Sequence, residues 1–177
     1  GYDYDSGGYN WYYSCNNAFD LEDVSQWHHV VLMVDSTQST EADRLKLYID
    51  GNQITSFSSI TYPSLNQELA TTKSGYYHDI GLGYNARWEG CLAEMNLLDG
   101  QSYGPDTFGI TDTSTGNWIP KSFSGLSYGN NGFRAQFANT AGQTLGYVTG
   151  GGTANNFFTA TNMDSTDCIT DTPTSNH

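Results

Sequence analysis

One segment of the sequence combines aromatic rings with amide and carboxylate groups, which is the chemistry that recognises sugars. Tyr84, Asn85 and Trp88 stand close together in a predicted loop, and Tyr76 and Tyr77 lie just upstream. Sugars stack their apolar faces on aromatic rings, while amides and carboxylates bond to their hydroxyl groups. We predict a glycan-binding site that consists of Tyr76, Tyr77, Tyr84, Asn85, Trp88 and Asp99. The alternative is that these rings fill a core or a subunit interface, where Tyr and Trp are also enriched.

A second aromatic cluster lies near the start of the chain. It consists of Tyr9, Trp11, Tyr12 and Tyr13, beside Asn10, Asn16 and Asn17. The same two explanations apply to it, a sugar-binding surface or rings packed in a core or an interface. We interpret the surrounding Tyr-, Gly- and Asn-rich segment, residues 1–18, as a lead-in to the folded domain.

Acidic residues raise the question of a metal site. Calcium takes about six to eight oxygen ligands, commonly carboxylates and carbonyls of loops. Carboxylates cluster in two places, Asp3 with Asp5 and Asp20 with Glu22 and Asp23. Neither cluster has the spacing of a complete calcium loop, so we predict no cofactor and leave open a single Ca²⁺. His28 and His29 adjoin on a predicted strand and point to opposite faces, so they cannot bind one metal together.

The charge of the chain excludes some partners. Asp and Glu number 19 against 6 Lys and Arg, which gives a net charge of −13 at pH 7. Such a surface repels phosphate backbones, so we predict no nucleic-acid partner. No stretch approaches the roughly 20 apolar residues that cross a bilayer, so we predict no membrane partner.

The elements that must position these residues are strands, because helical periodicity is nearly absent. The almost continuous apolar run of residues 27–35 predicts a strand in the middle of a packed sheet. Residues 44–49 alternate between basic and apolar types and run into Asp50-Gly51, which is typical of a two-residue hairpin turn. Short strands separated by turns predict an all-β fold, an antiparallel two-sheet sandwich.

Two further features belong to this strand pattern. Cys91 falls in a later apolar strand pattern, where we expect a buried thiol, and a bridge between Cys15 and Cys168 is left open. Residues 102–127 are rich in Gly, Pro, Thr and Ser, and we interpret them as an ordered excursion. We expect its anchors to be Phe108, Trp118 and Phe123.

The order of three motifs resembles laminin-G-like domains. These motifs are SQWHHVV at 25–31, LYIDG at 47–51 and GCLAEM at 90–95. Such domains belong to the concanavalin A-like lectin and glucanase superfamily, so the resemblance implies a jelly-roll sandwich. We place this domain at residues 19–177, with a loop-rich C-terminal extension from about residue 100.

A further series of motifs resembles the laminin-G-like domains of tailed-phage virion proteins, especially those of aquatic phages. The series is LDGQ at 98–101, FG at 108–109, GNWIPK at 116–121, YGNNGF at 128–133, NNF at 155–157 and DTPT at 171–174. This resemblance implies a virion or extracellular location, with other virion subunits and further copies of the chain, as a homo-oligomer, for partners. Such domains usually begin with an extra aromatic-Trp strand. It is left open whether the sheet lacks its first strand, an upstream region missing from this sequence contains it, or another subunit supplies it.

The same superfamily includes enzymes, and one motif bears on catalysis. Its retaining glucanases carry Glu-x-Asp-x-x-Glu, or a version one residue shorter, and need two carboxyl groups about 5–5.5 Å apart. Glu94 matches the first position, but Asn96 replaces the second carboxylate and Asp99 replaces the last Glu within an Asp-Gly turn. We therefore predict that the chain is not an enzyme.

The resemblance leads to a ranked prediction of function. The first is a non-catalytic structural or adhesion module of a phage particle, in a tail fibre, an appendage or on the capsid surface. The alternative is a lectin-like module that recognises a host surface polysaccharide. A glucanase-like glycoside hydrolase is third.

Overall fold

The computed structural model describes residues 1–5, 7–15, 25–76, 90–136 and the backbone of 148–149. The strands in these ranges are β1 (Tyr2–Asp5), β2 (Gly8–Cys15), β3 (Val30–Val34), β4 (Leu45–Ile49), β5 (Asn52–Ile54), β6 (Phe57–Thr61), β7 (Met95–Leu97), β8 (Gly109–Thr111), β9 (Trp118–Pro120), β10 (Phe133–Ala135) and β11 (Val148–Thr149). Single 3-10 turns occur at Glu41–Asp43, Ala70–Thr72 and Pro105–Thr107. No helix in the described ranges is long and apolar enough to cross a bilayer.

All pairings among these strands are antiparallel. The predicted all-β, antiparallel fold class is therefore confirmed. The chain divides into two compact units. The described residues of the first lie within Gly1–Tyr76 and Ser102–Ser124, and those of the second lie within Tyr77–Gln101 and Gly125–Thr174.

A sheet with the order β1-β2-β6 begins the first unit. β1 and β2 form a hairpin in which Tyr2 pairs with Tyr12 and Asp3 with Trp11, and β2 pairs along its other edge with β6. Residues 1–18, interpreted from the sequence as a lead-in, thus contribute two paired strands. The domain boundaries drawn at residues 18 and 100 stay predictions.

A second sheet of this unit has the order β3-β4-β5. Strand β4 alternates, and its apolar side chains Leu45, Leu47 and Ile49 are only 2 %, 1 % and 6 % exposed. Asp50 and Gly51 both have positive φ, 49° and 76°, as a type I′ turn between β4 and β5 requires. The predicted hairpin is confirmed.

The sequence predicted that β3 lies in the middle of its sheet. Among the described strands, β4 is the central one and β3 pairs with β4 alone, so the prediction does not hold for them. Val30 and Leu32 remain 50 % and 37 % exposed. A continuous apolar run is typical of a strand whose two faces are both buried. In the described sheet, part of β3 stays exposed to solvent.

The aromatic anchors predicted for residues 102–127 lie in or beside the antiparallel pair β8–β9: Trp118 is in β9, Phe108 directly precedes β8, and Phe123 follows β9. The Phe108 and Phe123 rings meet edge to face with centroids 5.3 Å apart, and Trp118 stacks on His29 at 5.9 Å. A Cβ on Gly51 would stand 2.5 Å from the Trp118 ring, so the indole packs where only glycine leaves room.

The second unit contains a sheet with the order β11-β10-β7. Phe133 and Ala135 of β10 are buried, and Leu97 of β7 packs against them. The prediction for Cys91 is wrong, because its thiol is exposed and β7 begins only at Met95.

Candidate functional site

Four tyrosines share the outer surface of the β1–β2 hairpin. Tyr2, Tyr4 and Tyr9 are 52 %, 55 % and 61 % exposed, and Tyr12 is half-buried beside them. Alternation places Tyr2 and Tyr4 on one side of β1, and the pairing Tyr2↔Tyr12 and Tyr4↔Tyr9 brings the β2 rings to that same side. We call these four side chains the tyrosine face.

Tyr9 is the centre of the tyrosine face. Its ring meets those of Tyr2, Tyr4 and Tyr12 at centroid distances of 5.8, 5.3 and 5.8 Å, each in an edge-on arrangement. Edge-on contacts of this kind are favourable because they suit the ring quadrupoles. The four rings therefore form one contiguous aromatic surface.

A surface cavity of about 310 Å³ opens beside these rings. Its lining is Gly1, Tyr2, Tyr9, Tyr12 and Tyr13. Hydroxyl groups of β6 adjoin it, because the Ser59 hydroxyl donates a 3.1 Å hydrogen bond to the Tyr12 oxygen. Hydrogen bonds with the Ser59 and Thr61 side chains lower the pKa of Tyr12.

The opposite side of the hairpin holds the face in place through a buried carboxylate. Asp3 is only 3 % exposed. Its oxygens accept hydrogen bonds from Asn10 Nδ2 at 2.8 Å and from the backbone N–H groups of Ala70 and Thr71 at 3.0 Å each. Removing a carboxylate from water costs free energy, and hydrogen-bond donors such as these offset that cost. Asp3 thus joins β1 to the 3-10 turn Ala70–Thr72.

Aromatic packing completes the inner side. Trp11 is 4 % exposed and stacks on Tyr13, with ring centroids 6.1 Å apart and planes at 7°. Tyr13 in turn meets Phe57 of β6 edge to face at 6.1 Å. Burial raises the pKa of the Tyr13 phenol. Of the cluster predicted at residues 9–13, Trp11 therefore packs inward, and Tyr9 and Tyr12 lie on the outer face. Tyr13 is half-buried, stacks on Trp11 and also lines the cavity.

The glucanase-like positions lie in the second unit and carry other contacts. Glu94 Oε2 receives Arg134 Nη2 at 2.8 Å and Arg134 Nε at 2.9 Å. Asn96 donates to the Glu94 carbonyl oxygen at 3.0 Å and accepts the Tyr128 hydroxyl at 2.7 Å. A carboxylate and an amide held in this way serve the local structure of β7 and its neighbours.

Asp99 stabilises a turn. Its Oδ2 accepts the Asn131 backbone N–H at 3.1 Å and the Asn131 side-chain amide at 3.3 Å. Its own N–H donates to the Tyr128 carbonyl oxygen at 3.3 Å. Gly129, with φ of 64°, lies against the Asp99 backbone where a Cβ would clash. The glycan contact predicted for Asp99 stays a prediction.

Most other members of the predicted glycan site lie outside the residues that the structure describes. Tyr77, Tyr84, Asn85 and Trp88 lie outside the described residues. Tyr76 is 41 % exposed, and the Lys73 ammonium lies 5.9 Å from the centre of its ring. Of the predicted site, the structure describes only Tyr76 and Asp99, which belong to different units.

Sequence reasoning missed Tyr2 and Tyr4. The alternation Tyr2-Asp3-Tyr4-Asp5, followed by glycines, could have indicated the first strand of a hairpin. Recognising a turn at Gly7, between the paired residues Asp5 and Gly8, would have placed these two rings beside Tyr9.

A polar chain links β3, the β4–β5 turn and β9. Asp50 contacts His28 Nδ1 at 2.8 Å and accepts the His29 backbone N–H at 2.7 Å. The Trp118 indole N–H donates to His29 Nδ1 at 3.0 Å. Burial lowers the pKa of His29, and the Asp50 charge opposes this shift only in part. His29 is thereby held as a neutral acceptor, which is a structural role.

The acidic clusters give no metal geometry in the part of the chain that the structure describes. No group of three or more His, Cys, Asp or Glu residues there could hold a metal ion. Asp3 is occupied by N–H donors, and Asp5 accepts the Gly7 N–H at 2.8 Å. Asp20, Glu22 and Asp23 lie outside the described residues.

Comparison with known families gives one match. The model of a laminin G family, described as the concanavalin A-like lectin/glucanases superfamily, matches residues 3–101. No curated protein and no solved structure matches the chain. The antiparallel sheets of the described residues agree with the all-β sandwich of that superfamily.

Proposed function

The chain belongs to the concanavalin A-like lectin/glucanases superfamily, and we propose that it is a non-catalytic adhesion and structural module of a phage particle. The superfamily contains binding modules and hydrolases, so the choice depends on the residues of this chain. The observation that carries the proposal is the tyrosine face, because a contiguous and exposed aromatic surface is typical of an interaction site.

Three features of the second unit support a role without catalysis. The pair that Glu94 forms with Arg134 uses one carboxylate oxygen for both guanidinium contacts. Asn96 offers no carboxylate, and Asp99 is bonded into the turn that contains Asn131. Retaining hydrolysis requires two carboxyl groups free to act as nucleophile and acid/base. Each of these positions has a structural task instead.

The phage setting is supported by the sequence. The ordered motif series from LDGQ at 98–101 to DTPT at 171–174 resembles virion proteins of tailed phages. A net charge of −13 suits an exposed particle component that must not adhere to nucleic acid. We propose a virion or extracellular location, with other virion subunits and further copies of the chain as partners. A single bound Ca²⁺ is compatible with this role.

A second candidate function is recognition of a host surface polysaccharide. The specific observation that favours it is the cavity beside Tyr2, Tyr9 and Tyr12. In this case the adhesion partner is a glycan rather than a neighbouring subunit.

Labelling of particles tests the proposed location. Gold-conjugated antibody raised against the chain is applied to intact phage particles from the source of the sequence, and electron microscopy locates the gold. We expect labelling at fibres, appendages or the capsid surface. Two results together would contradict a structural role: the particles stay unlabelled, and the same antibody detects no such chain among the denatured virion proteins.

A hydrolysis assay tests the absence of catalysis. The protein is incubated with soluble polysaccharides, and new reducing ends are measured beside a Glu94→Gln variant. We expect the two proteins to give the same background. Release of reducing ends by the wild type that Glu94→Gln abolishes would overturn the proposal.

A further inference from the structure

One side-chain hydrogen bond joins the β8–β9 pair to the sheet of β3, β4 and β5. Among the described residues, the backbone hydrogen bonds of β8 and β9 stay within residues 104–121. In the same ranges, the bond from the Trp118 indole N–H to His29 Nδ1, at 3.0 Å, is the one hydrogen bond that crosses from these two strands to that sheet and its flanking residues. Apolar contacts accompany it, with the Phe108 ring 6.2 Å from the His29 ring and Trp118 packed on Gly51. The attachment therefore depends on the state of one imidazole ring.

This hydrogen bond is compatible only with a neutral imidazole. An indole nitrogen can only donate, so His29 Nδ1 must be bare and its ring proton must lie on Nε2. A protonated imidazole carries hydrogen on both nitrogens. It would turn a second N–H group toward the indole N–H, which exchanges an attraction for a repulsion.

The groups around His29 compensate a positive charge poorly. Asp50 is the charged group that acts on the ring, but its oxygens already accept the His29 backbone N–H at 2.7 Å and contact His28 Nδ1 at 2.8 Å. Strands β8 and β9 contain no titratable side chain, and Asp106 and Lys121, which flank them, are exposed. Because an indole N–H bond lies in the ring plane, the imidazole lies beside the indole edge, where the ring quadrupole is positive. A cation gains little there.

We propose that the contact between His29 and Trp118 is a pH-sensitive switch, in which protonation of His29 releases the β8–β9 pair from its sheet and uncovers Trp118 and Phe108. Burial lowers the pKa of His29 in the closed state, whereas a solvated ring in the open state titrates near its usual value of about 6.5. The closed state is therefore fully favoured above about pH 6.5 and weakens as pH falls toward the lowered pKa. The switch does not depend on the adhesive function proposed above.

Hydrogen exchange of the Trp118 indole N–H tests the switch. Its NMR signal is identified by its loss in Trp118→Phe, and its protection factor, which corrects for the intrinsic pH dependence of exchange, is measured at pH 7.5 and 5.5. We expect protection to fall by up to about tenfold, which is the limit for a ring that titrates near pH 6.5 only when open. Unchanged protection would overturn the inference.

Matched variants assign the pH dependence to one ring. In His29→Gln the amide oxygen can accept the indole N–H and does not titrate, so protection is expected to be equal at the two pH values. His28→Gln is expected to keep the wild-type decrease, because His28 contacts Asp50 rather than the indole. An equal decrease in the wild type and His29→Gln, or a decrease that only His28→Gln abolishes, would overturn the inference.

Two further measurements keep the result decisive. Backbone amides of β4 report global unfolding, and the Trp118 indole is expected to be less protected than they are. Equal protection would mean that the bond opens only when the whole unit unfolds, which would overturn a local release. If His29→Gln does not fold, NMR titration of the His29 ring in the wild type and Trp118→Phe replaces it. Loss of the indole donor is expected to raise the pKa of His29 toward 6.5, and an unchanged pKa would contradict the proposed link.

Discussion

Replacement of Asp3 by alanine is expected to destabilise the protein by about 3–4 kcal/mol. The carboxylate is 3 % exposed and accepts three N–H donors, of which the Ala70 backbone N–H is buried and those of Asn10 and Thr71 are partly buried. An unsatisfied buried donor costs about 1–3 kcal/mol. We assign about 2 kcal/mol to Ala70 and about 0.5–1 kcal/mol to each of the other two.

This loss is large against the total stability of a domain. Folded domains have free energies of unfolding of about 5–15 kcal/mol. With a urea slope of about 2 kcal/mol per molar, the midpoint of unfolding is expected to fall by about 1.5–2 M. Urea titration followed by tryptophan fluorescence measures that midpoint, and the chain contains 4 Trp.

An exposed aspartate with similar bonds provides the matched control. Asp112 accepts the Ser114 N–H at 2.9 Å and the Thr115 hydroxyl at 2.8 Å, in a solvated turn. Water replaces those bonds, so Asp112→Ala is expected to cost less than about 1 kcal/mol. Equal losses for Asp3→Ala and Asp112→Ala would refute the reasoning from burial.

Three further changes test other parts of the structure. The pKa of folded His29 lies below its usual value of about 6.5, so its contribution to folding stability is complete above that pH and is lost as pH falls toward the lowered pKa. Urea midpoints are therefore expected to decrease from pH 7.5 to 5, and to decrease less in His29→Gln. Equal decreases in the two proteins would contradict this. Gly51→Ala places a Cβ at positive φ against Trp118 and is expected to cost about 2 kcal/mol or more by urea unfolding, whereas a neutral effect would mean that the turn relaxes. Leu47→Ala empties a position that is 1 % exposed and is expected to cost about 2–5 kcal/mol in calorimetry, with a loss below 1 kcal/mol counting against a packed β4.

Local chemistry made part of the fold predictable. The Asp50-Gly51 turn was predictable because a two-residue hairpin needs positive φ at both positions, and these residue types tolerate it. The alternation of β4 was predictable because one of its faces is buried. Both features depend only on neighbours in sequence.

Other features depend on backbone geometry or on distant partners. The strand expected around Cys91 fails because Glu94 adopts φ of 51°, outside the extended region, so that β7 starts after it. The β1–β2 hairpin has a local signal that was missed, whereas the pairing of β2 with β6, Phe57–Thr61, has none, because β6 lies far along the chain.

The candidate site divides in the same way. Sequence composition identified tyrosines as the residues of interest, because ring stacking depends on residue type alone. Which rings reach the surface depends on strand register, since Trp11 is buried while Tyr9 and Tyr12 lie on the outer face. The sequence alone does not give that register.

A crystal structure of the protein soaked with an oligosaccharide tests most directly the central claim that this module does not cleave sugars. We predict that every glycosidic bond stays intact and that no sugar lies between Glu94 and Asp99. A sugar found instead between Glu94 and Asp99, or cleaved there, would contradict the account.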